Sequence, residues 1–311
     1  MNAVDFLKGI DGDVRVIFHS DCDGCCSAAI VLAFLRQRGV KAVPSAGDVE
    51  EETLGSVGRA ENVIIVDLAV DNYPEWLGHL KGRKVLIMDH HMIRNDLNKM
   101  GFIHVNPRFE KPDLYTSASL VTYDVCRKAG LRGFAWLAKV GAVGDRALEG
   151  SKKEKEASCM INSVKAIRKD PGLVTLAKYL SACRTLDEFL KNDKYVRLNE
   201  MLNDELEKQI ALFELTCSGE VCFFELRSRY SMLAILSSKL LDMYPKKTII
   251  VYSKDGDIYK VSTRSKTYNM AELVGKAAKG IGRAGGHPAA AGGTVTDFGL
   301  FRARLEKLLK K

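Results

Sequence analysis

Three short apolar runs, each ending abruptly in carboxylates or histidines, constrain this chain more than any other feature. Residues 14–18 (VRVIF) lead into His19-Ser20-Asp21, residues 63–66 (VIIV) into Asp67, and residues 85–88 (VLIM) into Asp89-His90-His91. Runs this short, mostly β-branched or aliphatic, read as buried parallel strands. Between the first two lies GCCSAAIVLAFLRQR (residues 24–38), a segment apolar around its whole circumference with a basic end, followed by Gly39 as a stop. That alternation predicts an α/β fold with an open parallel sheet. Ligands of such sheets bind outside the carboxyl ends of the strands, where all three polar clusters fall.

Residues 116–129 read as a further helix capped by Thr116 or Ser117, and residues 133–143 as another that delivers Gly144-Asp145. From 151 to 215 the chain is strongly charged and helical in pattern, with a break at Asp170-Pro171-Gly172. Beyond 217 the pattern changes. Residues 221–226, 248–252 and 258–262 read as strands, Asp255-Gly256-Asp257 as a turn, and residues 270–279 as a helix. The expected organisation is a catalytic domain over 1–184, a helical connector over 185–215 and a smaller α/β substrate-binding domain over 216–311.

Charge separates the two halves. Residues 1–150 hold 18 basic and 20 acidic side chains, a net −2; residues 151–311 hold 29 and 19, a net +10. A basic C-terminal half suits a polyanion such as nucleic acid, although a solvated lysine-rich surface gives the same balance. No apolar run approaches the ~20 residues of a spanning helix. The N-terminus carries no basic segment followed by an apolar stretch, so a cytoplasmic protein without a membrane partner is expected. The eight cysteines are expected as free thiols. Cys22 and Cys25 form a C-x-x-C but lack the further ligands that zinc demands, and Cys25 and Cys26 read as small apolar residues on a helix.

His19-Ser20-Asp21-Cys22-Asp23-Gly24 places an imidazole and two carboxylates within five residues of a strand end, with Gly24 easing the turn into the helix. On an extended segment, side chains two apart point to one side. Carboxylates crowded into a partly buried site repel one another, and a cation resolves the conflict. Asp67, Asp89, His90 and His91 arrive from the next two strands and Asp145 from a helix end. Taken singly, each has an ordinary reading as a cap, a turn residue or a core histidine; jointly they suit a site for two divalent metals. Mixed carboxylate and imidazole donors favour manganese over magnesium. Two ions about 3.5–4 Å apart activate water and stabilise the oxygens in phosphoryl displacement.

His19-x-Asp21-x-Asp23-Gly24, Asp67, Asp89-His90-His91 and Gly144-Asp145 resemble, in order, the four-motif signature of the DHH phosphoesterase family, RecJ-like exonucleases of the archaeal and oligoribonuclease group in particular. Asn106-Pro107 and the Ser117-Ala118-Ser119 helix start resemble segments that follow the D-H-H. Gly285-Gly286-His287-Pro288-Ala289-Ala290-Ala291-Gly292 resembles the glycine-rich motif of the associated substrate-binding domain.

The resemblance implies two Mn²⁺ or Mg²⁺ ions. His19, Asp21 and Asp67 would hold one ion, and Asp23, Asp67, His90 and Asp145 the other. Asp89 would orient a histidine, and His91 would contact the scissile phosphate or protonate the leaving oxygen. Arg264, with Ser262, Gly285, Gly286 and His287, would grip substrate phosphate. Bacterial RecJ enzymes carry Asp where this chain has His19.

The expected activity is release of nucleoside monophosphates from single-stranded DNA or RNA, with roles in repair or replication. Two alternatives stay open. One is an oligoribonuclease or adenosine-bisphosphate phosphatase acting on short substrates. The other is a nuclease that partners the GINS replication complex.

Overall fold

The computed structural model describes residues 1–309. The chain forms two compact units, Met1–Glu200 and a second from Met201 onward.

The first unit opens with α1 (Ala3–Lys8), β1 (Val14–His19), α2 (Cys22–Gln37), β2 (Ala42–Gly47), α3 (Glu51–Gly55), β3 (Asn62–Val66), β4 (Lys84–Met88) and β5 (Ile103–Val105). It continues with α4 (Ala118–Ala129), α5 (Ala135–Gly144), α6 (Lys152–Leu180), α7 (Leu186–Leu190) and the start of α8 (Asp193–Thr216). The sheet runs β2-β1-β3-β4-β5, parallel throughout. The expected α/β class and N-terminal parallel sheet are therefore present. Its faces bury alternate residues: Val16, Phe18, Ile64, Val66 and Leu86 face one core with α2, and Ile17, Val63, Ile65 and Val85 face the other. This is why the runs read as continuously apolar.

Two strands of this first sheet are not foreshadowed in the sequence. The edge strand β2 contains Pro44, which interrupts a strand pattern but is tolerated at an edge. The strand β5 is only three residues long. Helix α2 is buried from Cys22 to Leu35, enclosed by the sheet and by α4, α5 and α6. Cys25 and Cys26 are wholly buried within it, as small core residues. The expected break at Asp170-Pro171-Gly172 is present: Lys169, at φ 56° and ψ −157°, leaves helical geometry, so α6 is two helical segments meeting at a kink.

The second unit holds the rest of α8, then β6 (Val221–Glu225), α9 (Leu233–Met243), β7 (Thr248–Asp255), β8 (Ile258–Arg264), α10 (Met270–Ala278), β9 (Gly282–His287), β10 (Ala290–Val295) and α11 (Phe298–Leu309). Its sheet has the order β6-β7-β8-β10-β9, with only the β6–β7 pair parallel. The glycine-rich motif is a hairpin: β9, the Pro288-Ala289 reversal, then β10. The loop carbonyls of Pro288 and Ala289 accept from the N–H groups of Met270 and Ser265, at 2.7 and 3.1 Å. Among the described residues, no helix is long and apolar enough to cross a membrane.

Candidate metal centre

The chain leaves β1 towards β2 and leaves β3 towards β4 on the opposite side, which opens a crevice between the carboxyl ends of the neighbouring strands β1 and β3. His19 ends β1. Asp21 caps α2, its carboxylate accepting from the Gly24 N–H at 2.9 Å, and Asp23 lies in the first helical turn. The helix thus starts earlier than expected, and the extended alternation invoked for Asp21 and Asp23 does not apply. Gly24 is required for another reason than turn freedom: a Cβ there would lie 2.2 Å from the His19 carbonyl oxygen.

Asp67 follows β3 with φ 60°, a left-handed conformation that a carboxylate side chain tolerates better than most but that still stores strain. Its N–H donates to the Met88 carbonyl at 3.0 Å, tying it to β4. Beyond β4, Asp89 and His91 pair with each other, and His90 between them turns towards Asp67 and Asp145. Asn106 donates to the His91 carbonyl at 2.9 Å and Arg108 to that of His90 at 2.8 Å, fixing this turn from behind. Asp23 accepts from the Ala118 and Ser119 N–H groups at the start of α4, at 2.7 and 3.1 Å. Gly141 on α5 leaves room for it, since a Cβ there would lie 2.7 Å from Asp23 Oδ1. Asp145 caps the far end of α5.

Three overlapping groups result, each with its donor atoms within 4.8 Å of one another: His19, Asp21 and Asp67; Asp67, His90 and His91; and Asp23, His90 and Asp145. All of the side chains singled out at the strand ends are therefore neighbours. His19 Nδ1 lies 2.8 Å from Asp21 Oδ2 and 3.7 Å from Asp67 Oδ2, and His90 Nε2 lies 3.2 Å from Asp67 Oδ1.

The electrostatics are those of an anionic site short of positive charge. Burial lowers the proton affinity of His90, but Asp67, Asp145 and Asp23 outweigh it and raise its pKa to about 10. Burial, reinforced by Asp67 and Asp21, pushes the Asp145 carboxyl up to about 6. Burial and the charges of Asp67 and Asp21 likewise raise Asp23. Among the described residues, Asp67 Oδ2, His90 Nδ1 and Asp145 Oδ2 are buried without a hydrogen-bond partner, and His19 Nδ1, though 2.8 Å from Asp21 Oδ2, makes no well-aligned one. Buried polar atoms are normally satisfied. Carboxylates and imidazoles crowded this closely, with His90 held protonated by its acidic neighbours, fit divalent cations in place of protons, so the residues present suit the metals that the motifs imply.

Asp48 went unremarked in the sequence. It follows β2, whose Gly47 is registered against His19, and its Oδ1 lies 3.5 Å from His19 Nε2. With Nδ1 facing Asp21 and Asp67, this places a carboxylate behind the histidine, as outer partners at metal sites commonly are. A lone Asp after an unrecognised strand carries no signal that would have found it.

The phosphate-binding residues expected in the second unit also converge. Arg264 is registered against Ala290, and Ala290 against His287. Ser262 and Gly285 flank Gly292 in the same way, so Arg264, Ser262, His287 and Gly285 share one sheet face. Arg264 is held by Ser238 and Ser262 at 3.1 and 3.2 Å. Gly286 has φ 141°, and a Cβ there would lie 2.5 Å from the Ala290 carbonyl oxygen, so it keeps the hairpin closed rather than facing that surface.

Residues 13–148 match the DHH family, N-terminal domain, and residues 218–311 match the DHHA1 domain. The chain belongs to the DHH family. Within that family its architecture is RecJ-like: it superposes on RecJ from Thermus thermophilus in complex with Mn²⁺ with a TM-score of 0.78 and 19% identity, covering 99% of this chain and 54% of that one. The chain thus spans about half the length of that RecJ. An exonuclease RecJ bound to manganese aligns over 99% of this chain and 94% of its own, with a TM-score of 0.72 and 19% identity. CDC45 from Entamoeba histolytica aligns over 100% of both chains with a TM-score of 0.62 and 12% identity. No curated protein matches the chain in sequence.

Proposed function

We propose that the chain is a metal-dependent exonuclease that hydrolyses single-stranded DNA or RNA and releases nucleoside monophosphates. The observation that carries the reading is the gathering of His19, Asp21, Asp23, Asp67, His90 and Asp145 around orphaned, buried donor atoms at the sheet's switch point. His19, Asp21 and Asp67 would hold one divalent ion, and Asp23, Asp67, His90 and Asp145 a second, with Asp67 shared. Mn²⁺ is preferred over Mg²⁺ because imidazole nitrogens contribute. When bound, the ions supply an activated water and neutralise charge on the phosphoryl oxygens.

The chain's own groups do the rest. His91 Nδ1 donates to Asp89 at 2.8 Å, which leaves Nε2 to meet a phosphate oxygen or to give a proton to the departing one. In the second unit, Arg264 presents a planar fork suited to phosphate, with His287 on the same face one strand beyond Ala290. The association with GINS is the second reading, motivated by the CDC45-like fold over the full chain. Recovery of GINS subunits with the tagged protein from native extract supports it; recovery of the protein alone counts against it.

The test of the main reading is a Mn²⁺ digestion of 5′- and 3′-labelled RNA and DNA ladders, with Asp67→Ala as control. Stepwise loss of mononucleotides by the wild type and none by the variant is expected. Cleavage confined to dinucleotides would assign the short-substrate alternative, and equal rates for wild type and Asp67→Ala would refute a metal-dependent site at this position.

A further inference from the structure

At the far end of α2 from the acidic cluster lies a cavity of about 480 Å³, lined by Arg36, Gln37, Arg132, Gly133, Phe134 and Arg184 among others. The α2 helix has sixteen residues, which puts this cavity about 24 Å from Asp21 at a rise of ~1.5 Å per residue. Three arginines from three separate segments meet here: the end of α2, the α4–α5 loop and the segment after α6. Arg36 donates to the Ser181 carbonyl and so caps the end of α6. The Arg132 and Arg184 guanidinium groups have no hydrogen bond or ion pair among the described residues. The nearby Glu188 carboxylate is engaged by the Arg184 backbone N–H at 2.8 Å, an arrangement that belongs to the cap of α7.

Three arginines against the single acid Glu188 leave the rim net positive, and a bound anion offsets that charge. The loop adds to the case. Gly133 and Phe134 have φ 81° and 67°, and Phe134 is a buried aromatic residue in a left-handed conformation, uncommon outside constrained sites. Phe134 is also the N-cap of the ten-residue α5 and offers no side-chain cap, so the positive end of that helix lies at the cavity wall. The volume lies in the small-ligand range, in an open depression whose lining is mostly exposed.

We propose that this cavity is a second anion site, which binds a phosphate group through Arg132, Arg184 and the start of α5. The phosphate has two possible sources, a free nucleotide or the backbone of a nucleic acid strand. The site is separate from the acid–histidine cluster and does not depend on catalysis there.

The experiment is calorimetric titration of the full chain in chelator. The Arg264→Ala background removes the grip proposed for the second unit, and the probes are pyrophosphate, AMP and a ~10-nucleotide RNA. An Arg132→Ala/Arg184→Ala double variant is compared in the same background. Both arginines are exposed, so the variant is expected to melt like its parent. At least tenfold weaker binding of AMP and pyrophosphate by the double variant assigns a free-nucleotide site. The same loss for the RNA alone assigns a backbone site. Unchanged affinity for all three probes, or no binding by the parent, overturns the proposal. Cleavage of labelled RNA in Mn²⁺ by the double variant alone, expected at the wild-type mononucleotide-releasing rate, keeps this outcome separate from that of the active site.

Discussion

The Asp89 carboxylate accepts a hydrogen bond from His91 Nδ1 at 2.8 Å, while His90, the residue between them, faces Asp67 and Asp145. Two adjacent histidines are thus committed to different tasks by the acids they meet. Burial opposes ionisation of Asp89, but the His91 bond and charge outweigh it and hold the carboxyl below its ordinary range. An ionised Asp89 makes Nδ1 the donor and fixes the tautomer. Asp89→Asn offers its amide N–H₂ as readily as its carbonyl and no longer imposes that tautomer. Turnover in Mn²⁺ is expected to fall about 10–100-fold with little change in melting temperature. Steady-state kinetics on a labelled oligonucleotide check this, and wild-type turnover would remove His91 from the reaction.

The strained backbone of Asp67 makes a prediction about stability. Replacing it with Gly removes the left-handed penalty and one of several crowded carboxylates. In chelator, Asp67→Gly trades relief of the left-handed strain against loss of the carboxylate that pairs with His90, so stability within about 1 kcal/mol of the wild type is expected. Mn²⁺ should raise the melting temperature of the wild type but not of the variant. Thermal melts with and without metal measure both.

Close packing behind the site gives a third prediction. In Gly24→Ala, the new methyl would meet the His19 carbonyl oxygen at 2.2 Å, and backbone cannot swing away as a side chain can. A loss of about 3 kcal/mol in urea unfolding is expected, together with weaker Mn²⁺ binding, because His19 must shift. An unperturbed urea midpoint would show that the turn has more room than the structure gives it.

His104, outside the cluster, governs a pH effect. It is buried in β5 with its ring edge-on to Phe109, and burial pushes its pKa below the ordinary value despite the charges of Asp89, Asp71 and Asp96. The unfolded chain binds this proton near pH ~6.5, and the folded chain only at lower pH. Between those values the unfolded state holds more protons, so stability falls as pH falls through the window. Urea midpoints at pH 7 and pH 5 should drop less for His104→Phe than for the wild type; equal drops would contradict the assignment.

What the sequence disclosed and what it hid follow from how local each cause is. The strands β1, β3 and β4 announce themselves because both faces of the sheet are buried, and their polar ends stand out for the same reason. The α2 helix is apolar all round because it is enclosed on every side. The strands β9 and β10 are invisible by propensity: their glycines are chosen by contacts between strands, as at Gly293, where a Cβ would lie 2.3 Å from the Arg283 carbonyl oxygen. Asp48 reaches His19 only through the β1–β2 register, and the left-handed turn at Asp67 depends on a bond to β4. Neither relationship is written in nearby residues.

The proposed metal centre requires that the acids and histidines at the carboxyl ends of β1, β3 and β4 be arranged to hold divalent cations. Anomalous diffraction from crystals soaked in Mn²⁺ measures this most directly. Two anomalous peaks are expected, one contacted by His19, Asp21 and Asp67 and the other by Asp23, Asp67, His90 and Asp145. A fully soaked crystal with no peak among these side chains, or with its strongest peak elsewhere, would contradict it.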